Sequence, residues 1–143
     1  MILRAALAFA LLWTGAAWAQ ALAIDERGGV RFVSGGVGVE ERVLLDRLRP
    51  RFSLQLAFAA ARGGNYLAGV EVAALNAAGR AVWRGESDGP WLFANLAPGS
   101  YKLRARFGGK TQTREVEIRR GWRTEVFLYW ADPTALNLKD LRD

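Results

Sequence analysis

Acidic and hydroxyl side chains are the groups in this sequence that could carry out catalysis, because its 143 residues include no histidine and no cysteine. Nucleophilic pairs that depend on an imidazole or a thiol are therefore excluded, as are nearly all zinc and copper sites. Glu86 and Asp88 come closest to an acid pair or a calcium site. They lie two residues apart beside Gly89-Pro90, which is typical of a solvated turn, and no EF-hand-like spacing accompanies them. We expect no enzyme activity, no metal site and no cofactor.

A glycine-rich segment precedes the only helix that the sequence predicts. Gly35, Gly36 and Gly38 invite comparison with phosphate-binding loops, because helix N-termini attract anions. Their spacing completes neither the dinucleotide fingerprint nor the Walker motif. Glu40 and Glu41 also occupy the first helical turn, where they would repel a phosphate. We interpret the segment as a connector that lets the helix fold back over a sheet edge, with docking of a partner as the alternative.

Tryptophans are the other candidate site residues. Trp83 and Trp91 lie on neighbouring predicted strands, and Trp130 ends the last predicted strand, with Phe127 and Tyr129 on its opposite face. Such side chains either fill a core or, where two are exposed side by side, form a platform for a sugar ring or a partner protein. We expect some of the tryptophans to be core residues, and we predict a candidate binding surface at Trp83, Trp91 and Trp130.

The N-terminal residues 1–19 have the pattern of a secretory signal peptide. Arg4 precedes an apolar run, and Ala17 and Ala19 supply the small residues of a cleavage site after Ala19. The apolar run is shorter than the roughly 20 residues that a membrane span needs. The sequence therefore predicts a periplasmic or secreted protein that is not inserted in the membrane after cleavage.

Charge and length limit the remaining possibilities. The chain has 20 lysines and arginines against 14 acidic residues, a formal net charge of +6. The basic residues alternate with acidic ones, apart from a short block at Arg47, Arg49 and Arg51, so we expect no nucleic-acid partner. Without cysteine, the packing of apolar faces has to stabilise the single domain that the length predicts. The oligomeric state is left open.

A change in hydrophobic periodicity predicts one short amphipathic helix, from about Val39 to Leu48. Val39, Val43, Leu44 and Leu48 are assigned to its apolar face, and Pro50 ends it. The lead-in before it, residues 21–29, is expected to be loose, with a short strand following at residues 30–33.

Alternating apolar residues then predict seven strands, near residues 53–60, 66–75, 81–86, 91–96, 101–107, 111–119 and 122–130. Seven short strands separated by turns predict an all-β, seven-stranded Ig-like or prealbumin-like sandwich. The predicted divisions are a signal peptide (1–19), a lead-in with the glycine-rich loop and helix (20–51), the sandwich (52–130) and a C-terminal tail (131–143).

Two local features predict the structure of the chain between residues 96 and 116. The spacing of Leu96, Gly99 and Tyr101 predicts a tyrosine corner, in which the Tyr101 hydroxyl bonds to backbone a few residues upstream. Gly108-Gly109 predicts a two-residue turn with positive φ at both glycines. The resulting register pairs Tyr101 with Val116 and Lys102 with Glu115.

Two segments resemble carboxypeptidase regulatory-like domains, which are transthyretin-like (prealbumin-like) seven-stranded sandwiches. These are YLAGVEVAALNAAGRAV (66–82) and SDGPWLFANLAPGSYKLRARFGG (87–109), the latter with the Leu-x-x-Gly-x-Tyr pattern. The segment SGGVGVEER (34–42) is similar to the one that precedes this module in small exported proteobacterial proteins. The resemblance implies a folding, spacer or binding unit without catalysis of its own.

These patterns support two hypotheses about function. The leading one is a non-catalytic exported module that binds a protein partner through an exposed strand edge or through the glycine-rich lead-in and helix, in an interaction, structural or accessory role. The alternative is a carbohydrate-binding module that uses exposed tryptophans.

Overall fold

The computed structural model describes residues 22–62 and 66–131, so the predicted signal peptide and all but the first residue of the predicted tail lie outside the described residues. Its elements, in chain order, are β1 (Asp25–Arg27), β2 (Val30–Gly35), α1 (Val39–Leu48), a 3₁₀ turn (Arg49–Arg51), β3 (Leu54–Ala60), β4 (Glu71–Leu75), β5 (Ala81–Glu86), β6 (Trp91–Ala94), β7 (Gly99–Phe107), β8 (Lys110–Ile118) and β9 (Thr124–Trp130). The prediction of a mostly β chain with one short helix is confirmed.

The strands form two sheets. One has five strands in the order β1-β2-β6-β3-β9, and the other has four in the order β5-β4-β7-β8. Neighbouring strands are antiparallel except for β3 and β9, which run parallel from the Leu54–Thr124 pair to the Ala60–Trp130 pair. The sequence predicts both of these strands but does not predict that they are neighbours.

One hydrophobic core lies between the two sheets, because each sheet points alternate side chains toward the other. Leu54, Leu56 and Phe58 of β3 are buried in the same cluster as Leu103 and Ala105 of β7. Burying each large apolar side chain contributes about 1.5–3 kcal/mol. This packing takes the place of the disulfides that a cysteine-free chain cannot form.

The N-terminal hairpin is the main correction to the predicted fold. The structure describes nine strands rather than seven, and β1 lies where a loose lead-in was expected. Gly28 and Gly29 have φ values of 59° and 79°, which suit a two-residue hairpin turn, and Asp25 pairs with Phe32 across it. Although β1 and β2 lie within residues 20–51, both belong to the five-stranded sheet, where β2 pairs with β6.

The hairpin formed by β7 and β8 confirms the predicted register. Gly108 and Gly109 have φ values of 56° and 75°. Tyr101 pairs with Val116 and Lys102 pairs with Glu115, as the even-length turn requires.

Tyr101 makes the backbone contact expected of a tyrosine corner. Its hydroxyl donates a hydrogen bond to the carbonyl oxygen of Ala97 at 2.6 Å. Its ring lies beside Gly99, where an added Cβ would be 3.6 Å from the nearest ring atom. Leu96 is buried in the core, and its N–H and carbonyl both bond to the Ser53 hydroxyl at 2.9 Å. These bonds fix the loop between β6 and β7 to the start of β3.

Helix α1 has the predicted bounds but a different buried face. It packs on the outer side of the five-stranded sheet, where Leu45 is fully buried against Val33 and Phe93. Val39 and Val43 are exposed, which corrects the predicted apolar face. With 100° between successive residues, these valines point away from the side that carries Leu45. The helix therefore exposes apolar side chains to solvent.

No helix in the described part of the chain combines the length and the apolar character that crossing a membrane takes.

Side-chain hydrogen bonds join the edges of the two sheets. The Trp130 indole N–H donates to the Lys110 carbonyl (3.1 Å), and the Thr124 hydroxyl donates to the Glu117 carbonyl (3.2 Å). At the opposite edge, the Arg27 guanidinium donates to the carbonyl of Arg84 on β5 (3.2 Å). Edge strands β9 and β1 are therefore each tied to the sheet that faces them.

Candidate functional site

Two of the three tryptophans predicted as a binding surface are core residues. Trp83 and Trp130 are each only 3% exposed. Trp83 packs against Phe32, with ring centroids 5.5 Å apart, and Trp130 packs against Phe58 at 6.1 Å. Neither ring is available to a ligand, so the prediction is wrong at Trp83 and Trp130. Trp91, which is half-buried on the outer face of the five-stranded sheet, is the one member that reaches the surface.

Other aromatic residues share that outer face with Trp91. Phe127 and Tyr129 are 58% and 54% exposed, because the alternation along β9 that points Trp130 into the core points them outward. Tyr66 is 61% exposed and forms an isolated antiparallel bridge with Ala59. The sequence places large side chains on both faces of β9 but does not indicate which face is covered.

The strand registers arrange these side chains in two rows, each with an alanine between two aromatics. One row is Trp91–Ala57–Phe127, and the other is Tyr66–Ala59–Tyr129. We call this surface the aromatic groove. Ala57 and Ala59 form its floor, and aromatic walls stand one strand away on either side, about 10 Å apart. A cleft of about 140 Å³ lies where Ala57 meets Trp91 and Phe127.

Arg49 closes one end of the aromatic groove. Its guanidinium carbon lies 5.0 Å from the Trp91 ring and 4.9 Å from the Phe93 ring, in the range of cation–π contact. The same guanidinium donates hydrogen bonds to the Asp46 carboxylate at 3.0–3.1 Å and to Gln55 Oε1 at 3.0 Å. These contacts attach the C-terminal end of helix α1 to the sheet.

The polar groups at this end are largely bonded to one another. Gln55 is buried, and its side-chain amide donates to the Arg49 carbonyl at 3.0 Å. Glu125 forms an ion pair with Arg49 at 3.6 Å. The end of the groove therefore offers few uncommitted donors, while its floor and walls are apolar.

The tyrosine row at the opposite end of the groove lies beside the helix. The Arg42 guanidinium lies 5.7 Å from the Tyr66 ring centroid, so helix α1 borders the tyrosine row. Val39 and Val43 follow on the exposed side of the same helix, 71% and 46% exposed. Apolar side chains are therefore exposed on the helix that borders the groove.

A second concave surface lies at the end of the two sheets where β6 and β8 stop and β3, β7 and β9 begin. It is a cleft of about 420 Å³, and its basic lining residues are Arg51, Arg119, Arg120 and Arg123. We call it the arginine cleft. Trp122 also lines it and is 70% exposed, the most exposed tryptophan in the described residues. The sequence shows the block that ends at Arg51, but not that the turn before β9 meets it in space.

Hydrogen bonds hold the walls of the arginine cleft in place. The backbone N–H of Trp122 donates a hydrogen bond to the Arg119 carbonyl at 3.1 Å, and this bond closes the turn between β8 and β9. The Thr124 N–H donates to the Ser53 carbonyl at 2.8 Å, so this turn is attached to the start of β3. Ser53 also holds Leu96, which lines the cleft from the tyrosine-corner loop.

Among the four arginines, Arg119 has an acidic partner in the described residues. It donates a hydrogen bond to Glu117 at 3.1 Å. This bond and the nearby positive charge lower the pKa of Glu117 from its ordinary value, and the same contacts raise the pKa of Arg119. The described lining of the cleft contains no carboxylate, so Arg51, Arg120 and Arg123 leave it strongly positive.

The other sequence candidates lie outside both surfaces. Glu86 and Asp88 are exposed, and Glu86 pairs with Glu71 across the β4–β5 register. The glycine-rich segment is a packing site, because an added Cβ at Gly89 would lie 2.3 Å from the Gly35 carbonyl oxygen. This close approach of two backbones accounts for the glycine at position 89.

Comparison of the chain with protein-family models and with curated proteins gave no match.

Proposed function

We propose that this protein is a non-catalytic binding module of the cell envelope that holds an apolar segment of a protein partner in the aromatic groove. The signal-peptide pattern of residues 1–19 supports an exported location, periplasmic or secreted. The chain also lacks histidine and cysteine, so it cannot form the Ser-His or Cys-His nucleophile systems of many hydrolases.

A prealbumin-like sandwich of the carboxypeptidase regulatory-like type is the fold that we propose for the module. It is supported by the two sheets of five and four strands that share one core, and by the bond from Tyr101 to Ala97. The resemblance of residues 66–82 and 87–109 points to the same family. Units of this kind act as accessory or binding domains, which agrees with the proposed role.

The observation that carries the proposal is the pair of aromatic–alanine–aromatic rows on one sheet face. Exposed aromatic side chains around a small-residue floor form a concave apolar surface that water solvates poorly. Tyrosine, tryptophan, phenylalanine and arginine are also the residues enriched at protein interfaces. A leucine, proline or aromatic side chain from the partner would fill the space over Ala57 and contact both walls.

Several observations favour a protein over a glycan in this groove. Sugar sites combine an aromatic platform with polar side chains that bond to hydroxyl groups, but Arg49, Gln55 and Glu125 are already paired with one another. The helix that borders the groove also exposes Val39 and Val43, apolar side chains that suit contact with a protein better than contact with a sugar. Carbohydrate binding through Trp91, Phe127 and Tyr129 is the second candidate, favoured by the exposed rings alone.

Addition of a partner strand at a sheet edge has less support. Strand addition needs a free row of backbone groups. Strand β8 instead lies against the β9 edge: its Gln112 side chain donates to the Tyr129 carbonyl, and its backbone carbonyls accept from the Thr124 and Trp130 side chains.

Site-specific photocrosslinking in the envelope tests the proposal. A photoreactive phenylalanine at Phe127 should crosslink to a defined protein, whereas the same residue at Trp122 serves as the matched control. The captured protein is then purified, and its affinity is measured by calorimetry for the wild type and two variants. Phe127→Ser with Tyr129→Ser should weaken binding about 30-fold or more, as expected for the loss of hot-spot residues. Trp122→Ser, which removes an even more exposed ring elsewhere, should leave the affinity unchanged.

Three results would contradict the proposal. One is unchanged affinity in the Phe127/Tyr129 variant, and another is crosslinking from position 122 but not from position 127. The third is fluorescence quenching by peptidoglycan fragments or other glycans that is lost in the same variant, which would favour the carbohydrate-binding alternative. Both substitutions affect exposed side chains, so circular dichroism should show an unchanged fold.

A further inference from the structure

We propose that the arginine cleft, with the exposed ring of Trp122, binds the phosphate headgroups of an anionic lipid bilayer and holds the protein against a membrane surface. This inference rests on a different part of the molecule from the aromatic groove. It does not depend on the identity, or the existence, of a partner in that groove.

The fold brings the cations of the cleft together from two distant parts of the chain. Arg51 ends the 3₁₀ turn before β3, and Arg120 and Arg123 lie in the turn before β9. The hydrogen bond between Thr124 and Ser53 joins these segments, so the positive charges are held close without an intervening carboxylate in the described lining. Concentrating like charges is unfavourable in isolation. A nearby anion relieves that repulsion.

Arginine suits phosphate in particular. Its planar guanidinium donates two parallel hydrogen bonds to a phosphate and is less strongly hydrated than an ammonium group. A cleft of about 420 Å³ also exceeds what one phosphate fills, leaving room for more than one headgroup or for the glycerol that links it.

Trp122 distinguishes a bilayer from a small soluble anion. At 70% exposure its ring stands in water beside the arginines, on a turn at the end of the two sheets. Tryptophan is favoured at the headgroup level of membranes, where its apolar ring leaves water while the indole N–H remains hydrogen-bonded. A free phosphate would leave this ring in water, whereas a bilayer can take up the ring at the headgroup level while its phosphates contact the arginines.

Vesicle binding tests the inference directly. The full chain after signal cleavage is mixed with vesicles of phosphatidylglycerol and phosphatidylethanolamine, or with neutral phosphatidylcholine vesicles, and sedimented. Binding is expected to the anionic vesicles alone and should weaken steeply as sodium chloride rises from 50 to 500 mM, roughly the range over which surface charges become screened. Tryptophan emission should shift to shorter wavelength on binding, and Trp122→Phe should abolish the shift, because Trp83 and Trp130 are already buried and Trp91 lies in the aromatic groove, away from the arginine cleft.

Charge-matched variants locate the binding surface. Replacing Arg120 and Arg123 with glutamine should weaken vesicle binding about 25-fold, since each cation near an anionic surface is worth about fivefold. Arg104→Gln with Arg106→Gln removes the same charge from the exposed face of β7 and should change binding by less than about threefold, because those side chains lie far from the contact. The Phe127/Tyr129 groove variant should bind vesicles like the wild type.

Several outcomes would overturn the inference. Equal binding to neutral and anionic vesicles would exclude recognition of headgroup charge. A larger loss in the Arg104/Arg106 variant would place the contact on another face. Displacement from vesicles by millimolar glycerol phosphate, with no change in Trp122 emission, would show that the cleft binds a soluble phosphate compound and not a bilayer. Circular dichroism of each variant confirms that the fold is retained.

Discussion

The two core tryptophans offer a controlled measurement of what one buried N–H contributes. Trp83 and Trp130 are equally buried, at 3% exposure, but their indole nitrogens differ. Trp130 donates to the Lys110 carbonyl, whereas Trp83 Nε1 is buried with no acceptor in reach among the described residues. Replacing each with phenylalanine removes the same ring atoms, so the large apolar loss is nearly common to both variants.

The polar contributions have opposite signs. At Trp83 the substitution removes an unsatisfied buried donor, whose presence costs roughly 1–3 kcal/mol. At Trp130 it removes a hydrogen bond worth about 0.5–1.5 kcal/mol, and the released carbonyl belongs to the exposed Lys110, where water can solvate it. Trp130→Phe should therefore be less stable than Trp83→Phe by about 1.5–4.5 kcal/mol.

Urea denaturation followed by far-ultraviolet circular dichroism measures the difference, provided that the two variants unfold with equal dependence on urea. A sharper control is β-(3-benzothienyl)alanine, which keeps the bicyclic shape of tryptophan but has no N–H. It should stabilise the protein at position 83 and destabilise it at position 130. Equal losses in the two phenylalanine variants, or the same sign for the analogue at both positions, would refute this assignment of the hydrogen bonds.

Three further predictions concern the fold. Gly85→Ala should destabilise the protein by about 1–3 kcal/mol, because its Cβ would lie 2.6 Å from the Trp83 ring, and urea denaturation of the double variant with Trp83→Phe should recover much of this loss. Gly108→Asn should be tolerated while Gly108→Ala costs about 1 kcal/mol, since the φ of 56° favours Asn-Gly in a two-residue turn; thermal denaturation of both variants checks this. The carboxyl pKa of Glu117, measured by NMR titration, should rise in Arg119→Gln, because the pair lowers it in the folded protein. The pair's contribution to stability is therefore complete above the ordinary glutamate pKa and is lost as the pH falls through the lowered value.

Local patterns in the sequence predict local structure well. The change of period at Val39 and the stop at Pro50 locate the helix, and the Gly108-Gly109 pair determines the register of β7 and β8. The same turn chemistry at Gly28-Gly29 marks the β1–β2 hairpin, but without a longer apolar alternation around it the pair resembles a flexible lead-in. The apolar face of the helix is predicted wrongly for a similar reason. The pattern assigns four residues to the buried face, whereas Leu45, which is not among them, is the residue that the structure buries fully.

Both candidate surfaces depend on contacts between distant parts of the chain. Alternation shows that Phe127 and Trp130 point in opposite directions, but only the pairing of β9 with β3 places Phe127 across Ala57 from Trp91. Alternation also cannot say which face of β5 or β9 packs against the facing sheet, which is why Trp83 and Trp130, predicted as part of a binding surface, are core residues. The arginine cleft likewise forms because Ser53 bonds to segments far from it in sequence.

The parallel pairing of β3 with β9 has a consequence for the order in which the molecule assembles. Strand β3 is made early, yet its neighbour on one side is β9, the last strand of the described residues, so a ribosome or a translocation channel releases the two far apart in time. Non-local pairing of this kind slows folding, because a long loop has to close before the contact can form. A chain that is cut before Thr124 would lack one wall of the aromatic groove and would leave the side of β3 open to pairing with another molecule.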